Sequence, residues 1–190
     1  KDRGDFVGRL SKLLPEMATP CYAWALMDNH VHLLLRTGTS PIATVMRRLL
    51  TGYAVSFNRR HGRYGNLFQN RYKSILCEEG GYLKQLVAYI HLNPFRAGIV
   101  EDVASLRTFP YTGHSALMGK KKRPWQDTDY VLKHFGRRVS EAATRELSIS
   151  GSEVGRRLNV DRSAICRAVQ RAGKDADLAA AANTILKSFG

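Results

Sequence analysis

Acidic residues are scarce in this chain: 16 Asp and Glu stand against 30 Lys and Arg, a net charge of +14 over 190 residues. So large an excess of one sign points to a polyanionic partner. Nucleic acid comes first, because neutralising phosphates with Lys and Arg dominates such binding. Long apolar runs are also lacking. None approaches the ~18 residues of a spanning helix, and no basic segment carries a strongly apolar opposite face, so a membrane is excluded as the competing partner. Cysteine is rare and not spaced in pairs. Cys21, Cys77 and Cys166 encode neither a disulfide framework nor a Cys-x-x-Cys zinc site, and the chain reads as cytoplasmic. Its length suits one generous domain or two small ones.

What is present is concentrated in two distant segments. In Asn29-His30-Val31-His32-Leu33-Leu34-Leu35 the imidazoles are two apart in a β-prone run, so on a strand both rings face one way and Val31 the other. That geometry suits a shared metal ion. It equally suits two histidines on the solvent face of a half-buried strand, and Cys21 lies near enough to be a rival ligand. The second segment, Gly81 to Asn93, spaces Leu83, Leu86, Val87 and Ile90 as an amphipathic helix, with Pro94 marking its stop. Tyr82, Gln85, Tyr89 and Asn93 form a stripe beside the apolar face, with Tyr89 and Asn93 one turn apart. Taken alone, Tyr89 reads as boundary packing with its hydroxyl in water.

Three blocks, in order, carry a resemblance that joins these segments. They are Trp24-Ala25-Leu26-Met27-Asp28-Asn29-His30-Val31-His32-Leu33-Leu34-Leu35, Phe57-Asn58-Arg59-Arg60-His61-Gly62-Arg63-Tyr64-Gly65-Asn66-Leu67-Phe68-Gln69-Asn70-Arg71-Tyr72-Lys73, and Tyr89-Ile90-His91-Leu92-Asn93-Pro94-Phe95-Arg96-Ala97-Gly98. The region from Tyr22 to Leu117 resembles the REP-associated tyrosine transposases, a branch of the IS200-like, single-tyrosine HUH transposases. The resemblance implies metal ligands at His30, His32 and Asn93 and a nucleophile at Tyr89. It also implies a DNA strand left joined through its 5′ phosphate to Tyr89, with a free 3′ hydroxyl. The chemistry fits the residue types. A phenol of pKa near ~10 needs help to attack a phosphodiester at neutral pH, and imidazole nitrogen with amide oxygen suits Mg²⁺ or Mn²⁺ in a phosphate site, Zn²⁺ being a further option.

The fold expected is α+β: an antiparallel-sheet sandwich of ferredoxin-like, RRM-like HUH type, with a small helical carboxyl-terminal domain. Residues 1–118 make the nuclease domain, 119–139 a basic linker with a short helix, and 140–190 a helix-turn-helix unit. A packing helix over Phe6–Met17 comes first, and the resemblance implies a further strand before it that this sequence lacks. Strands at 21–27 and 30–36 follow, then a helix from Ser40-Pro41 as N-cap and first-turn proline. A strand over 71–77 is expected beside the histidine strand, and the segment after Pro94 closes the domain as a strap.

Arg47, Arg48, Arg59 and Arg60 lie off the apolar stripe of their helix and, with Arg71 and Lys73, are candidate phosphate contacts. The intervening loop, with Tyr64 and Phe68, can stack bases. Near the end, Ser150 with Glu153 starts one helix and Asp161 caps a second, whose Arg162, Ser163, Arg167 and Arg171 would face a major groove, the other reading being a helical hairpin packed on the first domain. Asp175–Phe189 reads as an Ala-rich covering helix.

The function these readings imply is a metal-dependent single-stranded DNA endonuclease and strand transferase acting on palindromic hairpins. A bacterial, nucleoid-associated monomer is expected. The alternatives are a hairpin-binding regulator that does not cut, and a metal hydrolase working through bound water.

Overall fold

Cys21–Leu26 (β1) and His30–Arg36 (β2) pair antiparallel, with Trp24 opposite Leu33 and Ala25 opposite His32. The turn between them is closed by the Met27 N–H donating to the His30 carbonyl at 2.8 Å. In this computed structural model, residues 1–77 and 81–135 and the backbone of 181–187 are described. Lys73–Leu76 (β3) and Ala181–Lys187 (β4) complete an antiparallel sheet in the order β1-β2-β4-β3.

Two expectations are corrected here. The 71–77 strand does not lie beside the histidine strand, because β4 stands between them and pairs with both. Residues 181–187 are correspondingly a strand rather than part of a terminal helix. Ala-rich helix propensity is a weak preference, whereas the facing edges of β2 and β3 present ladder donors and acceptors that demand partners. The helix-turn-helix residues Arg162, Ser163, Arg167 and Arg171 lie outside the described residues.

The period of two in β2 sorts its side chains between two layers. Val31, Leu33 and Leu35 pack on Asp2–Glu16 (α1) and Ile42–His61 (α2), through Phe6, Leu10, Leu14, Val45, Met46 and Leu49, all buried. Leu34, with Ala23 and Ala25 of β1, packs on Gly81–Arg96 (α3) across the sheet. The two alanines leave the helix room to approach. Helix α2 begins at Ile42 with Pro41 as its N-cap and no side-chain cap, so Ser40 does not cap it. The extended Pro41 backbone turns its carbonyl to the Thr44 N–H at 2.9 Å instead.

The outer edge of β1 is covered by the strap after α3. The Leu26 N–H donates to Tyr111 O (2.8 Å), Gly113 N–H to Trp24 O (2.9 Å) and Asp127 N–H to Cys21 O (2.8 Å), which removes an exposed edge. Within the 119–139 stretch, Lys120, Lys121 and Lys122 are exposed, whereas Trp125 and Gln126 are buried. Gln126 accepts from the Trp24 indole at 3.0 Å and donates to Gly113 O at 3.1 Å. Arg123 lies over the rings of Trp24 and Trp125. Thr128–Phe135 (α4) stacks Tyr130 on Tyr22 at 4.4 Å. The described part of this stretch is therefore packed against the sheet. Among the described residues no helix is long and apolar enough to cross a membrane.

Candidate functional site

The hairpin and α3 bring the two chemistry-bearing segments together. His30 is half-buried and His32 buried. Their Nε2 atoms face each other at 3.0 Å with the rings nearly perpendicular at 88°. Asn29 Oδ1 lies 2.7 Å from His30 Nδ1. An amide oxygen only accepts, so this contact suits the tautomer with its proton on Nδ1, which turns the His30 Nε2 lone pair toward His32. A second acceptor fixing the far nitrogen is the arrangement a metal-binding imidazole needs. Cys21 is not part of this group. Its side chain lies in the α1/α2 layer on the other face of the sheet, and burial raises its thiol pKa, away from thiolate.

Helix α3 supplies the rest. Leu83, Leu86, Val87 and Ile90 are buried as the spacing requires, leaving Tyr89 and Asn93 half-buried along the edge. The Tyr89 ring meets His32 edge-on, with centroids 6.0 Å apart. Asn93 stands one turn on, and its buried Nδ2 has no hydrogen-bond partner. Among the described residues no group of three or more His, Cys, Asp or Glu that could hold a metal ion occurs, and Asn93 is a side chain of another type, one turn from Tyr89. The donor set of two neutral imidazoles and one amide fits a divalent ion that retains open positions.

Pro94 does not end this helix. Helix α3 continues to Arg96, and the stop is set by Gly98 at φ 69°. Gly98 N–H donates to Phe95 O at 3.0 Å and Ile99 N–H to Pro94 O at 2.8 Å, the bond pair of a glycine-terminated helix. A proline in the last turn removes one ladder bond, and the glycine cap beyond it holds the turn in place. The consequence is that Arg96 joins the Tyr89 stripe, its guanidinium carbon 5.4 Å from the Tyr89 ring centroid. Sequence reading missed this residue, although its spacing of seven from Tyr89 is a signal for the same helix face.

Behind the stripe, His91 is fully buried and its ring lies 6.0 Å from that of His114. Burial, followed by the neighbouring His114, holds the His91 pKa well below the usual imidazole value. Burial and the Arg107 charge push His114 down to about 4. Both are neutral packing groups at ordinary pH.

The candidate DNA contacts divide into two groups. Arg47, Arg59, Arg71 and Lys73 are exposed. Arg48 pairs with Glu16 at 2.7 Å, and Arg60 pairs with Asp2 and with Asp5, the latter at 3.0 Å. Of the loop aromatics, Tyr64 is 97% exposed, whereas Phe68 packs near Tyr53.

No curated protein and no solved structure matches the chain. A family model described as "Transposase IS200 like" matches residues 5–93. That span begins in α1, takes in the histidine hairpin and α2, and ends on Asn93, so His30, His32, Tyr89 and Asn93 lie within the match and Arg96 lies beyond it; over these residues the chain is similar to the IS200-like transposases.

Proposed function

We propose that this chain is a REP-associated type of transposase: a metal-dependent single-stranded DNA endonuclease and strand transferase that cuts at or near palindromic hairpins through a covalent Tyr89 intermediate. The observation that carries this reading is the approach of the His30–His32 pair, Nε2 to Nε2 at 3.0 Å, to the ring of Tyr89. In this reading His30, His32 and Asn93 hold Mg²⁺ or Mn²⁺. When bound, such an ion polarises phosphorus and offsets charge on a non-bridging oxygen.

The protein's own steps are then simple. The Tyr89 hydroxyl oxygen bonds to phosphorus as the P–O3′ bond breaks. The phenol gives up its proton and the departing 3′ oxygen gains one, so the 5′ phosphate stays on Tyr89 and a 3′ hydroxyl is released. Attack on the phosphotyrosine by another 3′ hydroxyl reverses these changes and joins a new strand. Asn29 fixes the His30 ring, and the one-turn spacing holds Tyr89 beside Asn93, so positioning is built into two rigid elements. The exposed Arg47, Arg59, Arg71 and Lys73 suit phosphates of a hairpin stem, and Tyr64 suits stacking with an unpaired base.

The test is incubation with Mg²⁺ or Mn²⁺ and labelled hairpin oligonucleotides drawn from the flanks of the gene, resolved on a denaturing gel. A protein–DNA adduct that needs metal, and that Tyr89→Phe abolishes while hairpin binding persists, is the expected result. Tight binding without adduct or cleavage assigns the protein to the non-cutting regulators. Cleavage that survives Tyr89→Phe points to a water-dependent hydrolase.

A further inference from the structure

We propose that Arg96 binds the scissile phosphate, gripping the diester from α3 while the histidine pair faces it from β2. This rests on the Tyr89 reading above and adds to it a phosphate-binding side chain.

Three observations lead to Arg96. The helix runs past Pro94 and is stopped by Gly98, which sets Arg96 two turns beyond Tyr89 on the same stripe. The guanidinium lies against the Tyr89 ring at 5.4 Å. Its Nη2 is buried and has no hydrogen-bond partner. Among the described residues the ion pairs to carboxylates are made by Arg3, Arg9, Arg48, Arg60 and His61, and none by Arg96. Arg9 and Arg123 each have a buried Nε without a hydrogen bond, but Arg9 Nε lies 3.3 Å from the Asp5 carboxylate, and the terminal nitrogens of the two donate to Ser56 and to Pro110 O. Arg96 is half-buried, and among the described residues the contact its charge makes is with the Tyr89 ring.

A buried N–H of a guanidinium is costly while no acceptor meets it. The ring quadrupole offsets part of that cost. A phosphodiester suits the remainder, since its two non-bridging oxygens match the planar fork of a guanidinium. In the reading above a phosphate approaches the Tyr89 hydroxyl. Charge on those oxygens grows as the P–O3′ bond breaks, so the grip tightens in the transition state and accelerates the reaction more than it aids binding.

The experiment compares single-turnover cleavage of a hairpin carrying either the native diester or a neutral methylphosphonate at the cut position, by wild type, Arg96→Met and Arg96→Lys. On the diester, Arg96→Met is expected to slow cleavage on the order of 10²-fold or more, with hairpin affinity nearly unchanged and Arg96→Lys in between. On the methylphosphonate the gap between wild type and Arg96→Met closes. The thermal midpoint of Arg96→Met stays level or rises, because a buried N–H without an acceptor is removed. A wild-type rate for Arg96→Met on the diester overturns the proposal. So does an equal loss on both substrates, or a lowered midpoint with no rescue by lysine, which is what mere support of the ring would give. If the methylphosphonate is inert to every variant, the diester rates and the midpoint decide. Failure of wild type to form any adduct overturns the Tyr89 reading along with this one, whereas a wild-type adduct with an unaffected Arg96→Met overturns the Arg96 proposal alone.

Discussion

The two faces of the sheet are finished differently. On the α1/α2 face, Val31, Leu33 and Leu35 meet a wholly apolar layer, and the basic side chains above it are matched: Arg9 by Asp5, Arg48 by Glu16, Arg60 by Asp2 and Asp5. On the α3 face, polar groups are left open. Asn93 Nδ2, Arg96 Nη2 and both His91 nitrogens are buried without hydrogen-bond partners. Native interiors match nearly all such groups, so an accumulation on one face indicates either a site whose ligand completes it or a cost held for another reason. One face stabilises the fold and the other carries the open polar groups, with a single strand serving both.

Neighbouring residues of that strand give the sharpest way to break this comparison. His32→Ala is expected to reduce adduct formation by on the order of 10³-fold, the several kcal/mol that a held divalent ion contributes at phosphorus. Its unfolding midpoint should move less than that of Leu33→Ala. Leu33→Ala, one position along and facing the other layer, should instead lose about 2–5 kcal/mol of stability, with the adduct rate of the folded fraction retained. Parallel urea melts and gel assays on the two variants check both halves. If His32→Ala unfolds the protein as readily as Leu33→Ala, the faces do not differ in the way argued here.

How much of this was legible depends on how local each signal was. The alternation at 30–36 and the spacing at 83, 86, 87 and 90 placed His30, His32, Tyr89 and Asn93 on their elements, because those periodicities are dictated by burial over one strand or one helix. Pro94 misled for the opposite reason. The local rule stops a helix at proline, but a glycine cap beyond it carried the turn to Arg96 and hid that residue's place on the Tyr89 stripe. The pairing of Arg48 and Arg60 was not legible either, since their partners lie on α1, far away in sequence. The place of 181–187 in the sheet depends on two strand edges separated from it by most of the chain, and no local pattern encodes that.

The second contrast concerns acid. His114 has its pKa pushed down to about 4, by burial first and then by the Arg107 charge. The unfolded chain therefore binds a proton between about pH 6.5 and pH 4 that the folded chain does not, and stability falls with pH across that window. The loss is of the order of 3 kcal/mol at its fullest, and His91, also depressed by burial, acts in the same direction. His114→Phe should flatten the urea-midpoint profile between pH 7 and pH 4.5. An unchanged slope would mean that the imidazole pair behind α3 does not carry the acid sensitivity.

The smallest effect separates two adjacent arginines of α2. Arg59 is exposed, whereas Arg60 is held by Asp2 and Asp5 with His61 also on Asp2. Burial raises the Asp2 pKa, but the hydrogen bonds from Arg60 and His61 outweigh it and hold the carboxyl below its usual value. The clamp thus contributes stability above the ordinary carboxylate range and loses it as pH falls through the lowered value. If the α1/α2 face is structural, Arg60→Ala should lower the urea midpoint, with the drop shrinking in ~1 M salt, where screening acts within a few ångströms. Hairpin binding by this variant should keep its salt dependence. Arg59→Ala should do the reverse, leaving the midpoint in place and reducing the slope of log affinity against log salt by about one. A slope change from Arg60→Ala equal to that from Arg59→Ala would show that DNA competes successfully with α1 for the guanidinium, and the matched face would then be a second part of the DNA grip.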